Sequence, residues 1–308
     1  MKNFINKSAI FYLLIVLTMS LISSCSNDYE IPNQTDDIYL RIPDEYFETK
    51  LIEQGIDSDG IVNQQMLKTD ANKVSKLDLN LYDNYGEISD LTGIEGFTNL
   101  TLLSAANQHI NAVDLSFNIK LDTIYLIGNK LTNIDLSKNT SLIFVDLQSN
   151  EFDSSSSIVG LSNLINLKDL DLSWNYLEEF SIHNESLEVL HISHNDLISI
   201  DTDHAINLQH IFMPSNKLQT VDFSSNISLE TLLMAGNKIE QINLQNNTNL
   251  THLYIASNSF TSLDVSNNLE LVDLRVDRNP ELTCIKIENS QTPYVMKSDY
   301  QELNTICN

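Results

Sequence analysis

The chain has 308 residues and a formal net charge of −25, with 42 Asp and Glu against 17 Lys and Arg. This acidic excess argues against nucleic acid as a partner and against attachment to anionic lipid through a polybasic patch. With 42% hydrophobic and only 19% charged residues, the chain can bury a core and is not a disordered acidic tail. Leucine (44 residues) and asparagine (36 residues) are both in excess, which suggests an internal repeat.

The amino terminus has the pattern of a lipoprotein signal peptide over residues 1–24. A short basic start precedes an uninterrupted run of apolar and small residues at 9–22, which is too short to span a bilayer comfortably. The run leads into the sequence ISSC, which resembles a bacterial lipobox and ends at Cys25. We expect lipidation of Cys25 and a flexible tether over residues 25–39. The alternative is an ordinary signal peptide in which Cys25 is incidental.

Residues 40–73 have the pattern of an amino-terminal cap that contains a helix. Pro43 fits the first helical turn, Phe47 and Leu51 lie four residues apart on one face, and Gly55 is a natural stop. Such a helix would cover the open sheet edge at the start of the repeats that follow.

Residues 74–287 repeat the frame L-x-x-L-x-L-x-x-N-x-L-x-x-I-D-L-S about ten times. The interval between successive frame asparagines is nearly constant. The exception is the longer step from Asn150 to Asn175, which holds an insertion at residues 154–157, expected to be a solvent-facing loop. In the first coil Tyr82 replaces the asparagine, so that coil should be irregular. The predicted ladder consists of Gln108, Asn129, Asn150, Asn175, Asn195, Asn216, Asn237, Asn258 and Asn279.

This frame predicts a right-handed leucine-rich-repeat solenoid. Alternate leucines point inward from a short strand, and stacking the coils gives a parallel sheet on the concave face, with strands about 4.8 Å apart. Each ladder amide can satisfy backbone N–H and C=O groups that the bend leaves unpaired. A second apolar pair in each coil, such as Ile134 and Leu136, should close the convex side. Most coils have only about 21 residues, close to the lower limit for this class of repeat, so we expect little convex helix.

The repeats and their flanks resemble bacterial leucine-rich-repeat surface proteins of the internalin type, especially lipoproteins of Bacteroidota and flavobacteria. The likeness covers about residues 40–308 and includes the cap sequences IPDEYFE at 42–48 and GIDSDG at 55–60, the sequence DLTGIE at 90–95 and the sequence NPELTCI at 279–285. The resemblance implies a binding or adhesion protein in the outer membrane of a Gram-negative bacterium, facing the cell surface. It implies no particular ligand.

The two remaining cysteines lie close together in the sequence at the carboxy terminus. In an exported protein Cys284 and Cys307 form an even pair, so we predict one disulfide that closes a carboxy-terminal cap over residues 288–308. No histidine lies near either cysteine at the spacing of metal ligands.

Sequence motifs for catalysis are missing, and no cofactor is expected. The chain contains no G-x-S-x-G, no H-E-x-x-H and no phosphate-binding glycine loop. Paired acids such as Asp169 and Asp171 could resemble a glycosidase dyad, but an acidic solenoid produces such pairs by accident. The segment from Asp57 to Asp59 resembles part of a calcium loop yet lacks an acidic residue at 55 and a glutamate at 66, so a plain turn is the alternative.

Large aromatic, histidine and acidic residues occupy outward positions of the predicted concave strands. Sheet propensity alone favours aromatic residues there, whereas a recognition surface would use them as anchors. The candidate ligand-binding residues are Tyr125, Phe144, Asp146, Asp169, Asp171, Trp174, His191, His194, His210, Phe212, His252 and Tyr254. Several of these histidines could also hold a metal, although they lack nearby cysteine.

The sequence favours a lipid-anchored binding protein that engages a protein or a glycan through the concave sheet. The alternative is a structural or accessory subunit of a surface complex, for instance in polysaccharide capture, with contacts on the edges of the solenoid. An enzyme is the least favoured hypothesis. The expected partners are a protein or glycan on the concave face and the membrane through the lipid anchor.

Overall fold

The computed structural model describes residues 38–81 and 86–307. The predicted signal peptide, the lipidation site Cys25 and most of the predicted tether lie outside these residues, as does Tyr82. A short strand begins at Tyr39, which was predicted as the last residue of the tether. The first strand of the amino-terminal cap therefore begins one residue before the predicted boundary.

Parallel strands of three residues form the concave sheet, and each described coil contributes one strand. The sheet joins them in chain order, with neighbouring coils paired residue for residue. This arrangement confirms the predicted solenoid. The strands are Lys76–Asp78, Leu102–Ser104, Thr123–Tyr125, Phe144–Asp146, Asp169–Asp171, Val189–His191, His210–Phe212, Thr231–Leu233, His252–Tyr254, Asp273–Arg275 and Tyr294–Met296.

The core is the interior of the stacked coils. The central residue of each concave strand from Leu77 to Leu274 has no exposed surface, and the second leucine-type position of the frame, as at Leu172, is equally buried. Phe152, Phe223 and Phe260 fill the interior farther from the sheet and are also fully buried. Each coil therefore contributes apolar side chains to one continuous core that no single coil could bury alone.

The convex side is made of short extended segments and turns. Its strands are Ile134–Asp135, Ile158–Val159, Glu179–Ser181, Ser199–Asp201, Leu263–Asp264, Cys284–Lys286 and Glu302–Asn304. Its helical segments are single 3-10 turns at Ile94–Gly96, Ser155–Ser157 and Leu161–Asn163. The described coils thus have little convex helix, as predicted. The serine insertion, predicted as a loop, forms the 3-10 turn Ser155–Ser157.

The predicted asparagine ladder runs through the core beside the concave sheet. In Asn237, Nδ2 donates to the carbonyls of Met213 (3.1 Å) and Met234 (3.0 Å), and Oδ1 accepts from the amide of Leu218 (3.1 Å). Gln108 makes the equivalent bonds at the start of the solenoid, to the Leu79 carbonyl (2.7 Å) and from the Ile88 amide (3.2 Å). The ladder amides therefore satisfy the backbone groups at each bend, as expected.

A second ladder lies on the convex side and was missed in the sequence. Its side-chain amides each donate to two backbone carbonyls of the preceding coil; Asn247, for example, reaches Phe223 and Asn226, both at 2.9 Å. Its members are Asn118, Asn139, Asn184, Asn226, Asn247, Asn268 and Gln291, all buried. Several of these asparagines again follow one another at the interval of one coil, so the second ladder could have been recognised from the period of the repeat.

The amino-terminal cap contains the predicted helix at Glu45–Glu53. Asp44 is the N-cap residue, because its Oδ1 accepts from the amides of Tyr46 and Phe47, both at 3.0 Å. Pro43 was expected in the first turn but precedes this cap and lies outside the helix. Phe47 and Leu51, which were predicted to share one face of the helix, are both fully buried. An antiparallel pair of strands, Tyr39–Arg41 and Gln65–Leu67, and a short helix at Lys68–Ala71 complete the cap.

The carboxy terminus continues the solenoid. Residues 288–308 were assigned to a cap, yet Tyr294–Met296 pairs with Asp273–Arg275 as a further concave strand. The strand Glu302–Asn304 pairs with Cys284–Lys286 on the convex side. The disulfide between Cys284 and Cys307 is present, with 5.8 Å between the Cα atoms, which confirms the predicted pairing.

Candidate ligand-binding face

The concave strands present two columns of outward side chains. Strand register places Phe144, Asp169, Val189, His210, Thr231 and His252 side by side in one column. The second column contains Tyr125, Asp146, Asp171, His191, Phe212, Leu233 and Tyr254. Most of these side chains are half-buried because each packs against its neighbours in the adjacent coils.

Aromatic and imidazole side chains lie together in the middle of the face. This group, which we call the aromatic patch, consists of His191, His210, Phe212, His252 and Tyr254. The His191 and Phe212 rings are stacked with centroids 4.5 Å apart, and His210 lies 6.4 Å from Phe212. They line a shallow concavity of about 540 Å³ together with Leu233, His252 and Tyr254. Farther towards the amino terminus Tyr125 and Phe144 form a second ring pair, 5.0 Å apart.

Three carboxylates lie between these ring pairs, and we call Asp146, Asp169 and Asp171 the acidic trio. Asp146 is buried; its burial, with smaller contributions from Asp171 and Asp169, raises its pKa from 3.8 to about 6. Burial also raises the pKa of Asp169, whose Oδ1 is buried without a hydrogen-bond partner and lies 3.9 Å from His191 Nε2. The face therefore holds negative charge in a partly desolvated setting.

A cationic group lies over an aromatic ring at the other end of the face. The Arg275 guanidinium is 4.0 Å from the centre of the Tyr254 ring and donates to Asp273 Oδ2 at 3.0 Å. The Tyr254 hydroxyl also donates to Asp273, at 2.7 Å. Arg275 and Asp273 were not among the candidate residues, although their outward position in the frame was evident from the sequence.

Trp174 and His194 do not lie in the strand columns. They occupy the turn that follows the strand, directly before a ladder asparagine, where every coil from the one containing Gln108 to the one containing Asn279 has a residue with positive φ. The φ angles are 59° for Trp174 and 53° for His194, and the two rings are stacked with centroids 3.9 Å apart. Trp174 is 54% exposed. The structure thus brings this pair together at the rim of the concave face.

Further residues of the face were overlooked in the sequence. Tyr294 and Met296 extend the two columns past Asp273 and Arg275. Their signal was the period of the repeat, since Tyr294 follows Asp273 by the interval of one coil. The absence of leucine in this strand hid the repeat.

The described residues contain no metal centre: within 38–81 and 86–307, no three His, Cys, Asp or Glu side chains are arranged to hold an ion. In the cap, Asp57 is buried and its Oδ2 has no hydrogen-bond partner. Burial, with smaller contributions from Asp59, Glu48 and Asp70, raises the pKa of Asp57. The segment itself forms a turn, in which the Asp59 amide donates to Asp57 Oδ1 at 3.4 Å. Among the described helices, none has the length and apolar character needed to cross a bilayer.

Comparisons with known proteins give a consistent fold. A family profile described as "Leucine Rich repeat" matches residues 183–199. The functional domain of InlJ from Listeria monocytogenes superimposes with a TM-score of 0.61 at 22% identity, over 87% of this chain and 63% of that one. The Leptospira interrogans protein LIC12759 gives 0.53 at 19% identity, over 76% and 67% of the two chains.

Among curated proteins, bovine lumican is 32% identical over 156 residues, which cover 41% of this chain and 45% of lumican. Keratocan from Danio rerio is 25% identical over 158 residues, or 45% and 44% of the two chains. The chain thus spans less than half the length of these curated relatives. Together with the coil geometry, these likenesses show that the chain folds as a leucine-rich-repeat solenoid, structurally similar to internalins.

Proposed function

We propose that this protein is a recognition protein, and not an enzyme, which binds a protein or glycan ligand through its concave face. The observation that carries the proposal is the aromatic patch on the outward face of the concave sheet. Exposed aromatic groups next to charged residues are the usual anchors of binding surfaces. Concave binding is also the common mode of solenoid proteins.

We further propose that the protein is held at the outer membrane by lipid on Cys25 and faces the cell surface. The lipobox-like sequence before Cys25 supports this proposal. Cys25→Ala should release the protein from the membrane fraction, and protease added to intact cells should digest the wild-type protein. Full protection from protease would place it on the periplasmic side, and unchanged membrane association of the variant would exclude the lipid anchor.

The binding proposal can be tested by capture of ligands from protein and glycan extracts. The concave variant replaces Phe144, Trp174, Phe212 and Tyr254 by Ala. The control variant replaces four exposed large side chains off the concave sheet by Ala: Tyr46 (55% exposed), Phe117 (60%), Ile165 (74%) and Ile227 (58%). We expect the control variant to retain the ligand and the concave variant to lose it. If the folded concave variant captures the same species as wild type, the edges or caps make the contact and the accessory role is favoured.

A further inference from the structure

The Trp174–His194 pair is an exposed ring stack on the concave rim. One face of the indole lies against His194, and more than half of the Trp174 side chain is exposed. In the preceding coil the same turn position holds Ser149, whose side chain is too small to cover an indole. The second face of Trp174 is therefore open to a ligand.

The negative charge beside the open face of Trp174 favours a cationic ligand. Asp171 ends the strand that leads into Trp174, and Asp146 and Asp169 are its neighbours in the sheet. Among the described residues, no Lys or Arg pairs with these three carboxylates, and Oδ1 of Asp169 has no hydrogen-bond partner. Tryptophan is also the ring that attracts cations best, and a planar guanidinium can stack on it while donating to carboxylates.

A guanidinium that stacks on a ring and donates to a carboxylate is present elsewhere on the concave face. At the carboxy-terminal end Arg275 stacks on Tyr254 and donates to Asp273, so ring, carboxylate and guanidinium are all supplied by this chain. Around Trp174 the described residues supply the ring and the carboxylates but no guanidinium.

We propose that Trp174 and the acidic trio form a subsite for an arginine side chain of a protein partner. This inference rests on the proposed concave binding function and makes it more specific, because it favours a basic protein segment over a glycan. His194 holds the indole in place from its covered side.

Trp174 is the sole tryptophan of the chain, so its fluorescence reports directly on the subsite. We would titrate the purified protein with N-acetyl-arginine amide and, separately, with N-acetyl-citrulline amide, which has a similar shape but no charge. We expect the arginine probe to change Trp174 fluorescence at concentrations about tenfold lower than the citrulline probe. A methyl glycoside series forms the third arm.

The acidic trio is tested with a matched pair of variants. Asp169→Asn with Asp171→Asn should weaken the arginine response about tenfold. Asp135→Asn with Asp222→Asn removes the same net charge from exposed positions off the concave sheet and should leave the response within about twofold. Equal responses to arginine and citrulline, equal effects of the two double variants, or a response to glycosides alone would each overturn the proposal.

This result is separable from the capture experiment. If the concave variant loses its ligand but the arginine probe gives no selective response, concave binding stands and only the arginine subsite is rejected. If capture does not depend on the concave face at all, the broader proposal fails whatever the probe shows.

Discussion

Trp174 is a bulky residue in a backbone conformation that suits glycine. Its φ of 59° falls in a turn position that the other coils fill with Gly128, Gly236, three serines, Asn107, His194 and Arg278. For residues with a Cβ atom this conformation costs on the order of 1 kcal/mol. The chain tolerates that cost at the rim of the proposed binding face, a common place for local strain.

Because of this strain, we expect glycine to be more stable than alanine at position 174, the reverse of the usual order. Trp174→Gly should be more stable than Trp174→Ala by about 1 kcal/mol, because both lose the ring stack but only alanine keeps the clash. Tyr176, exposed two residues later and without positive φ, is the control site, and there alanine should equal or exceed glycine. Urea denaturation of the four variants measures the differences. Greater stability of Trp174→Ala than of Trp174→Gly would contradict the strain.

Asp146 makes the stability of the protein depend on pH in an unusual direction. Because burial raises its pKa from 3.8 to about 6, the folded state binds this proton more tightly than the unfolded chain does. The resulting stabilisation is complete below about pH 4 and is lost as the pH rises through about 6. The charged groups that act on Asp146 are Asp171 and Asp169, and the backbone amide of Gln148 donates to it at 3.0 Å.

Asp146→Asn should therefore raise the free energy of unfolding at pH 7.5 by roughly 1–2 kcal/mol and change it little at pH 4. The asparagine keeps an oxygen that can accept from the Gln148 amide. Denaturation at the two pH values gives the comparison, with Asp222→Asn as the control at an exposed site. A variant that is no more stable than wild type at pH 7.5 would show that Asp146 carries no such penalty.

At the level of the elements, two ladders of buried amides hold successive coils together. An amide of the concave ladder such as Asn237 makes three hydrogen bonds to backbone groups, whereas Asn247 of the convex ladder makes two, and its Oδ1 has no partner. Loss of either amide leaves buried carbonyls unpaired.

Asn237→Ala should lower the free energy of unfolding by about 2–4 kcal/mol, and Asn247→Ala by about 1–3 kcal/mol. The exposed Asn267, next to the ladder member Asn268, serves as the control, and its replacement by Ala should change stability by less than about 0.5 kcal/mol. Thermal and urea denaturation of the three variants measures the order. If Asn247→Ala proved harmless, the convex ladder would have no role in holding the coils together.

The elements could be predicted from the sequence wherever leucine and asparagine occupy the expected positions of the repeat. The concave strands up to Asp273–Arg275 and the concave ladder could be predicted, because each position of the frame has the same burial in successive coils. The convex ladder was missed although Asn118 and Asn139 lie one coil apart in the sequence. The strand Tyr294–Met296 was missed because Val295 and Lys297 occupy the inward positions where the frame expects leucines.

At the scale of the whole molecule, the regular period of the repeat fixes the solenoid, and the solenoid fixes which side chains share the concave face. Their local geometry could not be predicted, because ring stacking and carboxylate burial depend on contacts between coils. One conformational feature was within reach: Gly128 and Gly236 mark a turn position that requires positive φ, and Trp174 shares it. The ligand itself follows from neither the period nor the fold.

The most direct test of the account is the affinity of the captured ligand for wild type, the concave variant and the control variant, measured on folded protein. We expect the concave variant to bind more than about 100-fold more weakly than wild type, because four anchors are lost, and the control variant to stay within about threefold. Equal affinities of the concave variant and wild type would contradict recognition through the concave face.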